Sequence, residues 1–407
     1  MIASNGARIG LASSMCAVAL VGGIGAGAPA SAHPAPRPAK VAVSEQLTQT
    51  SVAPHSRVAY ALGTKYKSPT STTFVDKRSG SHWKKLAVKL PKGDPNVSSL
   101  AAGSPSSAWL VGGNYSNGKF RTLVEHSTGG AFKPVKTSLG SASLQDVAAS
   151  SKSNVWVAGT TSTSTPLIAH GNGHKWTKLK VPAKLLPLSI GGPLSLSTLS
   201  PKDTWLLAAT STTPVLLHWN GHSLSSTTIK KIPSGGVIRT ISATSAKSVW
   251  MVGTFTKQVG SSYRIQSFAE HLSGKSFKTY KLSSGRQVTY AVQIAAVGSR
   301  AYVAGEGGLA SGTHGVDQHA FAETFRGGKW HRNKVAQRGK TSEFSSVSAS
   351  SKVVVAVGAS YNGNLCDPKH LNVVASPYAA SLTSTSSHGE VTPKLRSAGR
   401  FPLLRTC

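Results

Sequence analysis

The stretch Val-Trp-Val-Ala-Gly, residues 155–159, decides the fold because close variants of it return about every fifty residues. It reads Ala-Trp-Leu-Val-Gly at 108–112 and Val-Trp-Met-Val-Gly at 249–253. The second residue of each copy is called the anchor below, and the anchors are Tyr60, Trp109, Trp156, Trp205, Trp250, Tyr302 and Val355. A fixed period of this length is the signature of a repeat architecture.

The residues around each anchor have the pattern of four short strands. In the second copy, Ala108 to Gly112 is a continuous apolar run, which indicates a strand buried on both faces. Turn-forming residues flank this run at 104–107 and 114–119. In the third copy, Asn172-Gly173 suits a two-residue hairpin turn between the third and fourth strands. Each repeat is therefore predicted to be a four-stranded antiparallel meander.

Side-chain size along each repeat indicates how the sheets assemble. The first strands carry small residues such as Ala102 and Ala149, whereas the second strands carry the aromatic anchors. Sheets arranged around an axis need small side chains near the centre and larger ones further out. The sequence therefore predicts an all-β protein, a seven-bladed β-propeller of four-stranded antiparallel blades, over residues 44–395. Six and eight blades are alternatives, because the first and last copies match the pattern least well.

Residues 200–205, Ser-Pro-Lys-Asp-Thr-Trp, and 217–221, Leu-His-Trp-Asn-Gly, resemble the repeats of secreted actinobacterial β-propeller proteins. Those repeats read Ser-x-x-Asp-Val-Trp-x-Val-Gly, followed by Leu-x-x-His-Trp-Asn-Gly. The resemblance covers nearly all of the mature chain and implies the propeller fold. It implies no reaction, because most such proteins have no assigned activity. The chain departs from the pattern by losing the turn aspartate in most repeats and the tryptophan in the last.

The first residues have the features of a targeting segment rather than of the fold. Arg8 precedes a small, apolar run at 9–28, and Ala30-Ser31-Ala32 offers a cleavage site. We therefore expect residues 1–32 to be a general secretory signal peptide cut after Ala32, with 33–43 as a flexible leader. An uncleaved membrane anchor is the alternative. The mature chain is predicted to be secreted and to have no transmembrane segment.

Two cysteines remain once the predicted signal peptide is removed, Cys366 and Cys407. An even pair in an exported protein favours a disulfide. Such a bond would tie the C-terminal tail, residues 396–407, back to the last repeat. Two free thiols are the alternative interpretation.

The charge of the chain is its strongest indication of a partner. Lys and Arg number 45 against 13 Asp and Glu, a formal net charge of +32. A field of this sign attracts polyanions, which outside a cell include cell-wall glycopolymers and acidic polysaccharides. A merely solvated surface is the alternative. Sequence-specific binding of nucleic acid is not expected, because no reading helix or base-stacking motif is visible.

Candidate metal ligands occur in two places. His126, His170, His218 and His271 share one position in four repeats, at the end of the third strand. Equivalent third strands of a propeller lie too far apart to share one metal ion, so a structural role is expected for them. His314, Asp317 and His319 lie within six residues and could hold zinc. They are on a loop, however, where no secondary-structure periodicity directs the three side chains to one point, and such residues are more often only solvated. No metal and no cofactor is therefore predicted.

Catalytic machinery is sparse in the sequence. Asp146, Glu306 and Asp317 are the acids best placed on expected face loops, and no nucleophile elbow or phosphate-binding glycine loop occurs. No catalytic residue is predicted.

The preferred function is that of an exported, monomeric, non-catalytic propeller that binds an anionic cell-wall polymer, an acidic polysaccharide or a protein. Its predicted ligand-binding loops join second to third strands and include Tyr263, Arg264, His314, Asp317, His319 and Tyr361. The alternative is a secreted polysaccharide hydrolase or lyase with its site at the propeller channel.

Overall fold

The computed structural model describes residues 43–67, 70–182, 188–189, 194–210, 213–230, 232–260, 262–282, 288–308, 319–362 and 375–382. The expected signal peptide and nearly all of the leader lie outside these residues, as do His314, Asp317, Cys366 and Cys407. Within them the strands form seven separate antiparallel sheets, one for each copy of the repeat. The predicted seven-bladed β-propeller is therefore confirmed.

The first three blades each contain four consecutive strands. Blade 1 consists of β1 (Val43–Val52), β2 (Ala59–Lys67), β3 (Thr70–Ser79) and β4 (His82–Leu86). Blade 2 consists of β5 (Asp94–Ser104), β6 (Ser107–Ser116), β7 (Lys119–Ser127) and β8 (Lys133–Pro134). Blade 3 consists of β9 (Ala142–Ser151), β10 (Asn154–Thr161), β11 (Pro166–Gly171) and β12 (Trp176–Lys178).

Blade 4 adds a short extra strand, and blades 5 and 6 repeat the four-stranded pattern. Blade 4 consists of β13 (Leu188–Ser189), β14 (Ser195–Ser200), β15 (Asp203–Thr210), β16 (Thr213–Trp219) and β17 (Leu224–Thr228). Blade 5 consists of β18 (Val237–Ser245), β19 (Ser248–Val259), β20 (Ser262–Ser273) and β21 (Ser276–Lys281). Blade 6 consists of β22 (Val288–Val297), β23 (Arg300–Gly308), β24 (His319–Arg326) and β25 (Lys329–Arg332).

Blade 7 closes the ring with three described strands, β26 (Thr341–Ala349), β27 (Val354–Tyr361) and β28 (Ala375–Ser381). The first strands of successive blades contact one another, and β26 contacts β1 in the same way. In a meander, first-to-second and third-to-fourth turns lie at one end of the strands. We call that end of the ring the inner-turn face. The opposite end, which carries the second-to-third connections, is the loop face.

The core consists of apolar clusters between adjacent blades. Trp156 is 1% exposed and Tyr60 is fully buried, and the other anchors are buried as well. Trp109, for example, packs with Trp176 and Val157 in the cluster between blades 2 and 3. An isolated four-stranded sheet would leave such faces in water, so closure of the ring supplies the missing partner.

The recurring glycine of the repeat is explained by a bulge in the first strand. The first strands of blades 1, 2, 3, 5, 6 and 7 each contain a register shift at the same place. In blade 3 the shift brings the carbonyl oxygen of Ser143 so close to Gly159 that a Cβ atom there would overlap it. In blade 4 the pairing of β14 begins at Ser195 opposite Leu207, and here alanine, Ala208, replaces glycine. Glycine is therefore retained where a backbone carbonyl approaches closely.

Side chains from each blade cap the first strand of the next blade. Ser51 Oγ accepts the N–H of Ala102 at 2.9 Å, and Ser242 Oγ accepts the N–H of Ala296 at 2.8 Å. The accepting residues across the seven interfaces are Gln49, Ser51, Ser99, Asp146, Ser195, Ser197, Thr240, Ser242, Gln293, Ser346 and Ser348. An innermost strand has no further strand to pair with, so these contacts satisfy donors that would otherwise face the channel unpaired.

The four equivalent histidines have the structural role that was expected of them. His126 stacks on Trp109 with ring centroids 3.9 Å apart, and His271 stacks on Trp250 at 4.1 Å. His170 and His218 stack on their anchors in the same way. Each ring is hydrogen-bonded to the residue two before the anchor, which is Ser107, Asn154, Asp203 or Ser248. Burial lowers the pKa of His126, His170 and His271, which favours the neutral ring.

Candidate functional site

Basic side chains recur at the turns between first and second strands. They are Arg57 in blade 1, Lys152 in blade 3, Lys202 in blade 4, Lys247 in blade 5, Arg300 in blade 6 and Lys352 in blade 7, and all six are exposed. We call this set the cation ring. Each of these turns joins the innermost strand of a blade to its second strand, so the six residues form an arc around the channel on the inner-turn face. The side chain of Lys202 lies against Gly221 of the β16–β17 turn, on the outer side of this arc.

A serine side chain builds most of these turns in the same way. Ser200 Oγ accepts the N–H of Lys202 at 3.2 Å, and Ser245 and Ser350 make the equivalent contacts with Lys247 and Lys352. The matching contact in blade 2 joins Ser104 to Ser106, where no basic residue occurs. Lys202, Lys247 and Lys352 therefore occupy equivalent backbone positions, whereas in blade 3 the equivalent position is Ser153, whose N–H donates to Ser151 Oγ at 3.3 Å, one residue after Lys152.

The acidic residues are distributed very differently from the basic ones. Asp76, Glu125, Glu270 and Glu323 are buried within the sheets, and Asp146 lies on an innermost strand. Glu45, Asp94, Glu306 and Glu343 belong to the loop-face end of their strands. Asp203 is the one acid of the described residues on the inner-turn face, and its Oδ1 is 2.8 Å from His218 Nε2. Among the described residues, the inner-turn face therefore combines six ring cations with a single acid, which is already bound to His218.

Basic residues also occur on the loop face, so the excess of charge is not confined to one side. Lys67, Lys119 and Lys257 are exposed there. The loop face differs in carrying acids as well, with Lys65 Nζ 2.9 Å from Glu45. It also carries most of the exposed large apolar side chains of the described residues, namely Tyr66, Tyr115, Val237, Val259, Tyr263 and Ile265. The two faces are chemically distinct.

A pair of carboxyl groups lies near the channel mouth on the loop face. Glu306 of blade 6 and Glu343 of blade 7 are hydrogen-bonded to each other, and the Tyr361 hydroxyl donates to Glu343 at 3.0 Å. Burial and the neighbouring Glu343 raise the pKa of Glu306 to about 7, which nearby Arg239 only partly offsets. Burial also raises the pKa of Glu343. Such a pair shares a proton, because two ionised carboxylates this close would repel each other.

The remaining predicted site residues are dispersed around the loop face. Tyr263 is 72% exposed, Arg264 follows it in β20, and His319 begins β24 of the next blade. Tyr361 is the last residue of β27, at the start of the predicted loop, and it is buried against Glu343. The described residues do not bring these four side chains together. Their predicted role in ligand binding stays a prediction.

Asp146 lies elsewhere than the sequence suggested. It was expected on a face loop, but it is in β9, where it accepts hydrogen bonds from Ser99 Oγ at 2.6 Å and from the N–H of Leu196 at 2.7 Å. Burial raises its pKa to about 6, although these hydrogen bonds oppose the shift. Asp146 thus links blades 2, 3 and 4. Among the described residues, no three His, Cys, Asp or Glu side chains are grouped as a metal ion would require.

Comparison with solved structures agrees with the fold. The β-propeller domain of the Trilobed protease from Pyrococcus furiosus matches with a TM-score of 0.52 and 8% identity, over 88% of this chain and 99% of that one. A Mycobacterium tuberculosis puromycin-hydrolyzing peptidase matches with a TM-score of 0.50 and 13% identity, over 86% of this chain and 53% of that one. This chain therefore spans about half the length of the peptidase.

A six-bladed fungal lectin from Aleuria aurantia with a fucose recognition mode has a TM-score of 0.44 and 11% identity, over 74% of this chain and 97% of that one. No protein-family model matches the chain, and the search of curated proteins found no match. At 8% and 13% identity, the two matches with TM-scores of 0.52 and 0.50 establish the β-propeller fold and nothing finer. In the part of the chain that the structure describes, no helix is long and apolar enough to cross a membrane.

Proposed function

We propose that this chain is an exported, non-catalytic β-propeller that binds an anionic extracellular polymer. The observation that carries the proposal is the composition of the inner-turn face, where the cation ring is accompanied by one described acid, held by His218. Charges of one sign around a channel mouth raise the local concentration of oppositely charged ligands and speed their encounter.

Export is supported by the sequence rather than by the geometry. The basic, apolar and Ala-Ser-Ala elements of residues 1–32 have the order of a secretory signal. The resemblance to secreted actinobacterial propellers points the same way. Outside a cell the available polyanions are cell-wall glycopolymers and acidic polysaccharides, and these are the proposed ligands. A protein partner with an acidic surface is the less favoured reading.

Binding to a linear polyanion should be strong at low salt and should weaken steeply as salt rises. With about six charged contacts, we expect the dissociation constant to rise by roughly several hundredfold between 50 and 200 mM NaCl. Titration of the purified mature protein against labelled polyphosphate and labelled polygalacturonate measures this, with neutral dextran as the control. A dissociation constant that does not change with salt, or one for dextran equal to those for the polyanions, would contradict the proposal.

A secreted glycan hydrolase or lyase is the second candidate, and the Glu306–Glu343 pair is the observation that favours it. A shared proton provides a general acid beside a carboxylate. The geometry favours it less, however. The two carboxyls are directly hydrogen-bonded, whereas glycosidases hold theirs about 5 Å or more apart to admit the sugar.

The two candidates separate cleanly in a turnover assay. We expect the protein to release no reducing ends and no unsaturated products from a panel of acidic and neutral polysaccharides. Glu306→Gln should therefore leave polyanion binding unchanged. Saturable turnover by the wild-type protein that Glu306→Gln abolishes would establish the second candidate instead.

A further inference from the structure

We infer that the cation ring is a discrete binding site for a linear, phosphate-bearing polymer that follows the arc of the ring on the inner-turn face. This inference rests on the proposed function and adds the place and the chemical class of ligand. A binding site of this kind differs from diffuse attraction by the whole molecule, because six defined side chains would account for most of the affinity.

The arrangement of the ring supports a defined site. Its members come from six consecutive blades, running from Lys152 of blade 3 through blades 4 to 7 to Arg57 of blade 1. Only blade 2 interrupts the series, since its turn carries Pro105 and Ser106. The result is an open arc rather than a closed circle. A flexible chain can follow such an arc and leave through the gap.

The turns that carry the cations are held in place by the fold. The backbone N–H groups of Lys202, Lys247 and Lys352 are bound to serine hydroxyls at 3.1–3.2 Å. Each turn joins the first two strands of a blade, and both strands are packed into the core. The positions of the Cα atoms around the arc are thus fixed before a ligand arrives, which lowers the ordering cost of binding.

The identity of the side chains suits phosphate groups as ligands. Four of the six are lysines, namely Lys152, Lys202, Lys247 and Lys352. An ammonium group binds phosphate oxygens as a point charge, and the planar fork of arginine, present in Arg57 and Arg300, binds phosphate as well. A row of lysines contacts successive phosphates without requiring one fixed orientation of each. This suits a polymer with one charge per repeat.

The first experiment removes part of the ring and compares it with an equal change elsewhere. The ring variant is Lys202→Ser/Lys247→Ser/Lys352→Ser, and the matched variant is Lys67→Ser/Lys119→Ser/Lys257→Ser on the loop face. Both lose three exposed lysines. With linear polyphosphate as the probe, we expect the ring variant to bind at least about tenfold more weakly at 100 mM NaCl. The slope of log K against log salt should fall by about 2 in magnitude. The loop-face variant should change far less.

The second experiment adds a cation in blade 2, where the arc has none. Its expected result is tighter binding, which a misfolded variant would not give. Ser106 donates its N–H to Ser104 Oγ at 3.3 Å, the same contact that Lys202 makes with Ser200. Ser106→Lys should therefore place a seventh cation in register. We expect several-fold tighter binding of polyphosphate and a slope steeper by about 0.7. Ser71→Lys, an equal charge added on the loop face, is the control and should give a smaller gain.

The possible outcomes distinguish this inference from the proposed function. If both triple variants lost the same affinity for polyphosphate, and Ser106→Lys bound no more tightly than Ser71→Lys, the protein would still bind polyanions. The cation ring would then not be a defined binding site, and this inference would be wrong. Binding of polygalacturonate at least as tight as that of polyphosphate would overturn the choice of phosphate. Wild-type protein that binds neither polymer would refute the proposed function itself.

Discussion

Gly159→Ala is expected to lower the free energy of unfolding by more than about 3 kcal/mol. The new Cβ atom would overlap the carbonyl oxygen of Ser143 and crowd the Cα atom of Leu144, both of which belong to the backbone of β9. A flexible side chain could move away, but a backbone carbonyl in a bulge can move only if the bulge itself is lost. The bulge sets which residues of β9 point to the channel, so its loss also disturbs the caps between blades.

Urea denaturation of Gly159→Ala and of the equivalent Gly112→Ala measures this effect. Gly130→Ala is the control, because nothing lies within 4 Å of its Cβ position, and it should change stability by less than about 1 kcal/mol. Wild-type stability in Gly159→Ala would show that the close approach is not a real constraint.

Glu125→Gln is expected to stabilise the protein at pH 8 by about 3 kcal/mol relative to its effect at pH 4.5. Glu125 is 1% exposed, and neither carboxyl oxygen has a hydrogen-bond partner among the described residues. It pairs with Leu110, which packs with Tyr60 and Phe132 between blades 1 and 2. Burial in these apolar surroundings raises the pKa of Glu125 to about 7.

The sign follows from comparing the folded and unfolded chains. The pKa of Glu125 lies near 4.5 when unfolded and near 7 when folded, so the unfolded chain releases the proton first as pH rises. Stability is therefore lost between about pH 4.5 and 7 and stays low above that range. Glutamine has the shape of the protonated acid and cannot ionise, so the variant should lose this part of the pH dependence. Chemical denaturation at pH 4.5, 6, 7 and 8 measures the difference between the two proteins.

Glu45→Gln provides a control of opposite sign. Burial alone would raise the pKa of Glu45, but hydrogen bonds and charge from Lys65 and Lys85 outweigh burial and hold it below the usual value. Its ionised form thus favours the fold, and its removal should be unfavourable at neutral pH. If Glu125→Gln and wild-type stabilities run parallel across the pH range, the buried carboxyl has another partner and the prediction is wrong.

The fold was open to prediction from the sequence because its determinants recur. Burial of Trp109, Trp156 and Trp250 follows from their place in apolar strands, and the period of the anchors counts the blades correctly. The stacking histidines were also interpreted correctly as structural, since strand spacing in a propeller forbids a shared metal ion. Each of these inferences uses only short-range pattern and a known geometry.

Three features were not predicted from the sequence, each for a different reason. Arg57, Lys202, Lys247 and Lys352 each stand three residues before an anchor, so an alignment of the seven copies would have revealed most of the cation ring. Without that alignment these residues cannot be distinguished from the other basic residues of the chain, which has 45 in total. The contact between Glu306 and Glu343 leaves no local trace, because it depends on how neighbouring blades meet. The serines that cap the first strands were not predicted because serine is typical of turns, so its presence in a strand does not indicate a contact with the next blade.

The way in which the ring closes bears on how such a chain can change over generations. Blades 1 and 7 meet through Ser346 and Ser348, the same kind of contact that joins every other pair of blades. Within the described ranges, no blade borrows a strand from the opposite end of the chain. Each of blades 1 to 6 therefore carries both its own complete sheet and its own means of attachment to the next blade. A duplication or deletion of one whole unit would leave the two ends still able to join, so ring size in such a lineage is free to vary by single copies.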